Sequence, residues 1–163
     1  MRQKKNWTPL SRRPFPQSLR NALRGWTRAV VTGRNMRIQL SIFALALFFG
    51  TVGRIEPWAW ALILLSGALV LGCEALNTAL ERLCDRVSTA REKVIGDVKD
   101  IAAGAVLFCA AGAAGVGLLV FARAGVLRTV ADLFMSAPAV GVALFALLAL
   151  IILFVRGKKE WRS

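Results

Sequence analysis

The sequence predicts an all-α integral membrane protein, with an N-terminal amphipathic surface helix followed by four transmembrane helices. Three observations carry that expectation. Apolar residues make up 56% of the 163 positions and mean hydropathy is +0.57; long apolar runs with few charges mark membrane spans rather than a soluble core. The 22 Lys and Arg residues cluster beside those runs, where they set topology and meet anionic lipid. Six of the nine Asp and Glu residues fall in one segment, residues 73–108. On a soluble chain the net charge of +13 would suggest nucleic acid. Here its distribution points to the bilayer, and no nucleic-acid partner is expected.

The first element is a basic tail, residues 1–17, interrupted by prolines and without an apolar core behind it. It does not read as a cleaved signal peptide and is expected to be a loosely ordered cytoplasmic extension. A helix follows in which Leu19, Leu23, Trp26 and Val30 form one stripe and Arg20, Arg24 and Arg28 a flanking one. Such a helix lies flat in the headgroup layer, and its basic stripe fits either an anchor on anionic lipid or phosphate binding.

The first span is expected from Ile38 to Gly53, with Arg37 snorkelling at one end, and "RIEP" makes a tight turn after it. The second starts at Trp58 and stays apolar to Gly72, but helical residues continue to Cys84. About 40 Å of helix then meets about 30 Å of hydrocarbon, so its last turns project beyond the core. The third span runs from Asp100 or Ile101 to Phe121, with Asp100 as a helix N-cap. The fourth runs from Ala137 to Val155, with Pro138 tolerated in its first turn.

Orientation follows from the basic residues. Residues 1–37 carry ten and no acid, residues 82–99 carry five, residues 123–136 carry two, and the tail after Val155 carries four. By the positive-inside rule both termini are cytoplasmic, and the membrane is the cytoplasmic (inner) one. Trp58 and Trp60 suit the outer interfacial belt. The acidic segment then lies at the cytoplasmic ends of spans two and three.

The chain has no histidine, and Cys73, Cys84 and Cys109 form no metal-binding spacing. Cys73 and Cys84 lie about 16 Å apart along one helix, too far to bridge. Neither a zinc site nor a structural disulfide is expected.

Glu74, Asn77, Glu81 and Asp85 fall within about 80° of one another on a helix, with Thr78 beside them. Aligned ionisable groups at the hydrocarbon boundary are expensive to place and mark a functional site by default. Glu92, Asp97 and Asp85 also suit a solvated helix end paired with Arg82, Arg86, Arg91 and Lys93. Asn77 also suits interhelical hydrogen bonding. A carboxylate at the lipid boundary can take a proton from a hydroxyl, a second can hold Mg²⁺, and a nearby lysine can meet phosphate oxygens. Spacing alone stops at an acidic, metal-competent site. There is no glycine-rich phosphate loop of the soluble kinase kind.

The stretch "EALNTALERLCD" and, thirteen residues later, "KDIAAGAV" resemble the linked motifs of the prokaryotic diacylglycerol kinase and undecaprenol kinase family. Weaker likeness runs upstream through "SLRNALRGW" and "TGRNMRIQ", so the resemblance covers residues 18–123. It implies a homotrimer of three-span subunits with sites between subunits, ATP as co-substrate and Mg²⁺ as cofactor. The implied reaction moves the ATP γ-phosphoryl group to a lipid alcohol, either diacylglycerol or undecaprenol. By the same resemblance Glu74 is the general base, Asn77 and Lys99 contact nucleotide phosphates, and Glu81 binds Mg²⁺. Asp85 and Asp100 order the site, and Arg20 and Arg24 match basic nucleotide-binding positions. Gly104, Ala111 and Gly115 suit either close approach of helices in a trimer or packing within one subunit.

Two features depart from the family pattern. Gly33 stands where relatives carry a metal-binding glutamate before Arg-Asn, which points to an altered metal site, compensation from another residue, or lost activity. Residues 124–163 add a transmembrane helix and basic tail that the family unit lacks. The competing expectation is a catalytically silent member that serves membrane assembly or lipid binding. A small transporter fits less well, because the acids gather at one interface rather than at the midplane.

Overall fold

A computed structural model describes residues 15–87, 92–136 and 138–156, and every element among them is an α-helix. The elements are α1 (Phe15–Thr32), α2 (Arg34–Val52), α3 (Pro57–Val87), α4 (Lys93–Arg123), α5 (Val126–Ser136) and α6 (Pro138–Arg156). The basic tail of residues 1–14 and the C-terminal residues 157–163 lie outside the described residues.

Among the described residues three helices, α2, α3 and α4, are long and apolar enough to cross a membrane. At 31 residues each, α3 and α4 run about 46 Å, well beyond a hydrocarbon core of about 30 Å. The excess length expected of the second span is therefore present in α3, and α4 has it too. Asp100 is not an N-cap. The α4 helix starts at Lys93, with Glu92 at the cap position, so Asp100 stands exposed within the helix, about two turns from its start. Residues 93–99 contain no proline, and the helix extends backwards through them.

The stretch after α4 is a second difference. Gly125, at φ +62°, reverses the chain, a conformation that costs glycine nothing. Residues 126–136, which the sequence leaves between the third and fourth expected spans, then form the amphipathic helix α5. Val126 is buried with Ile55, Ala59, Ile63 and Val120, and this cluster holds the α2–α3 turn against the end of α4. Trp58 donates its indole N–H to Glu56, and the Arg123 guanidinium stands 5.8 Å over its ring.

Helices α3 and α4 form the principal antiparallel pair, and α2 packs on α3 with α6 alongside α2. At the opposite end from the first cluster, Ala29 of α1, Met36 of α2 and Leu71 of α3 make a second one. Met36 has no exposed surface. This junction fixes the elbow between α1 and α2 against the middle of α3, one turn from Glu74.

Candidate active site

The elbow and the C-terminal half of α3 enclose a cleft of about 280 Å³. Its walls are Thr32, Gly33, Arg34 and Asn35 from the elbow, and Glu74, Thr78, Glu81, Arg82 and Asp85 from α3. The i, i+4, i+7, i+11 spacing of Glu74, Thr78, Glu81 and Asp85 keeps them on one helical stripe, as the sequence predicts. Glu74 is only 3% exposed, whereas Glu81 and Asp85 are exposed. The deep carboxylate and the outer ones thus share one opening but differ in solvation.

Asn77 lies at the edge of this stripe and faces the groove between α3 and α4, beside Cys73, Val98 and Ile101. It still reaches the cleft through its amide: Nδ2 donates to Glu81 Oε1 at 3.1 Å. Among the described residues its Oδ1 is buried without a partner, an unpaired acceptor of the kind that costs free energy unless a further donor arrives. Lys99 sits on α4 with Nζ 2.6 Å from Asp85 Oδ1, so the lysine and the acid meet across the helix pair. Asp100, Arg20 and Arg24 are exposed and stand outside the cleft walls of the single chain.

Two cations in the walls, Arg34 and Arg82, are not among the site residues expected from the sequence, though both lie in its motif stretches. Arg34 follows Gly33 at the elbow, and Arg82 follows Glu81 and donates to Thr32 Oγ1, which ties α3 to the end of α1. The signal in the sequence is the adjacency of each arginine to a motif position. It is a weak one, because both sit among many other basic residues.

Gly33 caps α2 with extended backbone, and its N–H bonds the Ala29 carbonyl at 2.8 Å. A Cβ there would stand 2.6 Å from Ala29 O and 3.2 Å from Met36 Cβ. The elbow has closed into the space that a side chain would occupy.

The resemblance implies Mg²⁺, and the donor set tests that. Among the described residues no three acidic, cysteine or histidine groups converge on a site made by protein alone. Mg²⁺ does not need one: it keeps several waters and takes one or two carboxylates plus substrate phosphates. Glu81, steered by Asn77, with Glu74 in the same cleft, fits that habit.

Above the cleft, an apolar groove of about 540 Å³ runs between α2, α3 and α4. Phe43, Val70, Leu71 and Phe121 are among its lining residues, and Leu71 lies one turn from Glu74. Cys73 is not isolated: its Sγ lies 3.4 Å from Cys109 Sγ on α4, both thiols free. Among the described residues Gly104 and Gly115 have nothing within 4 Å of a would-be side chain, so neither packs closely against another helix of this chain there.

The model of the family described as prokaryotic diacylglycerol kinase matches residues 20–121. A diacylglycerol kinase of Synechocystis is 37% identical over 101 residues, covering 61% of this chain and 58% of that relative. An undecaprenol kinase of Bacillus subtilis is 30% identical over 107 residues, covering 66% of this chain and 87% of that relative. The chain thus spans little more than half the length of the cyanobacterial relative. No solved structure matches it.

Proposed function

The chain belongs to the prokaryotic diacylglycerol kinase family, and from that premise we propose that it is a membrane lipid kinase. It transfers the γ-phosphoryl group of ATP to a lipid hydroxyl, that of diacylglycerol or of a polyprenol such as undecaprenol. The observation that carries this reading is the burial of Glu74 at the base of a cleft whose outer walls hold Glu81, Arg34 and Arg82. A scaffold has no use for a desolvated carboxylate under a mixed acidic and basic rim.

In the proposed reaction the lipid tail lies in the apolar groove and its hydroxyl reaches Glu74. The Glu74 carboxylate takes the hydroxyl proton while the lipid oxygen bonds to the γ-phosphorus. The bond to the bridging oxygen breaks and ADP leaves. Arg34, Arg82 and Lys99 meet the phosphate oxygens, supplying the positioning and charge stabilisation on which phosphoryl transfer depends. Asn77 orients Glu81, the carboxylate that would hold Mg²⁺. When bound, that ion neutralises developing phosphate charge.

We place the protein in the cytoplasmic membrane with both termini inside, α1 in the headgroup layer and α6 as a fourth crossing. The open faces at Gly104 and Gly115 support association as a homotrimer, because small residues let helices approach closely in lipid.

The test is phosphate transfer from labelled ATP by the full-length protein in mixed micelles with Mg²⁺. Diacylglycerol and undecaprenol are offered separately, with Glu74→Gln as control. Label on one lipid, lost in the control, is expected and names the acceptor. No label on either from folded protein would establish the silent member that Gly33 suggests.

A further inference from the structure

Arg37, in the first turn of α2, shares its guanidinium between two other helices. Its Nη1 donates to the Val31 carbonyl at 2.8 Å, and its Nη2 to the Val155 carbonyl at 3.4 Å. These oxygens belong to the last turns of α1 and α6. Carbonyls there have no intrahelical donor and carry the negative end of the helix dipole. One cation therefore answers two helix ends. Arg37 Nε is buried without a partner, so the fork is held by these two contacts alone among hydrogen-bond acceptors of the described residues.

The position of Arg37 gives the contact a consequence. Its neighbour Met36 is fully buried in the cluster that seats the elbow on α3. The preceding residues Thr32, Gly33, Arg34 and Asn35 form one whole wall of the cleft. The end of α6 is thus joined through one side chain to the segment that faces Glu74. It also lies along α2, the helix that carries Arg37.

We propose that α6 is an anchor for the active-site elbow and that Arg37 is the positioning residue through which it acts, a proposal that rests on the kinase reading of the cleft. The fork and the fixed plane of the guanidinium let it bond two separated carbonyls at once. A lysine ammonium is a point charge on a flexible stem and does not hold both. The helix α6 then fixes the angle between α1 and α2, and so the distance between the Arg34 wall and the Glu74 wall.

Two arms test this on the full-length protein. In the first, spin labels replace the exposed Leu23 and Leu153 in a background with Cys73, Cys84 and Cys109 changed to serine, and their separation is measured by pulsed EPR. In the second, KM for Mg·ATP and kcat are measured for wild type, Arg37→Gln and Arg37→Lys. Both variants are expected to broaden the distance distribution. Both should raise KM for Mg·ATP by about tenfold with kcat within about twofold, as misplacement of a binding wall does. Loss of folded protein alone would instead lower the apparent kcat and leave KM where it was. Distance distributions that superimpose on wild type would overturn the anchor. Broadening with an unchanged KM would overturn the positioning role. A wild-type protein that transfers no phosphate would sink the kinase reading and with it the positioning role, while the distance arm would still decide the anchor.

Discussion

Lys99 Nζ stands 2.6 Å from Asp85 Oδ1, and this ion pair ties the C-terminal end of α3 to the early turns of α4. The acid side chain is 66% exposed, and exposed pairs of this kind contribute little to stability. Lys99→Met is therefore expected to leave the melting temperature within about 2 °C of wild type. Transfer should fall by about a hundredfold if the lysine meets phosphate in the transition state. The exchanged pair, Lys99→Asp with Asp85→Lys, should restore the contact but not the activity. Recovery of activity by the exchanged pair would reduce Lys99 to a structural tie.

Glu74→Gln keeps the shape of a 3% exposed side chain and removes its charge. The expected loss in kcat is about 10²- to 10⁴-fold, the usual contribution of a positioned general base. Nucleotide affinity should be unchanged, and thermal stability unchanged or raised, because an ionised group no longer has to be held away from water. A variant that keeps its rate would remove Glu74 from the chemistry.

Asn77→Leu removes the donor that holds Glu81 Oε1 at 3.1 Å together with a buried unpaired oxygen. Loss of the unpaired acceptor offsets loss of the hydrogen bond, so stability should change by less than about 1 kcal/mol. The concentration of Mg²⁺ needed for half-maximal rate should rise, which a Mg²⁺ titration reads directly. An unchanged requirement would separate Asn77 from the metal.

Gly33→Glu installs the glutamate that the family resemblance implies at this position, yet it should not tighten Mg²⁺ binding. The added Cβ meets Ala29 O at 2.6 Å and Met36 Cβ at 3.2 Å, so the elbow has to move. Gly33→Ala alone should cost about 1–3 kcal/mol, the usual penalty for overpacking. Thermal unfolding of both variants with and without Mg²⁺ checks this, and a Gly33→Glu protein stabilised by the ion would show that the elbow yields.

Cys73 and Cys109 face each other with sulfurs 3.4 Å apart, while Cys84 is buried separately. Treatment of the folded protein with a lipid-permeable oxidant of dithiols should remove two thiols of the three and leave a monomeric chain lighter by two hydrogens. Cys109→Ser should abolish the change. A link between chains, or none, would contradict the register of α3 against α4.

Much of the candidate site is legible in the motif. The stripe of Glu74, Glu81 and Asp85 needs only helical periodicity, and its depth follows from the apolar run that precedes it. Asp100 misleads because a lone acid before an apolar run looks like a cap, whereas the polar turns from Lys93 onward continue the same helix. The short helix α5 is hidden because the residues around Gly125 resemble loop chemistry more than an amphipathic helix.

The sequence by itself determined the membrane class, the helical stripe of acids, the span-length apolar helices α2 to α4 and the excess length of α3. Each depends on order along one helix, where residue spacing dictates geometry. Only the tertiary structure decided which groups from different helices meet. It paired Lys99 with Asp85, set Cys109 opposite Cys73, brought Arg34 into the wall facing Glu74, and put Arg37 between the ends of α1 and α6. Those meetings depend on the rotation and sliding of one helix against another. Side-chain packing over whole faces sets that register, and no local spacing encodes it.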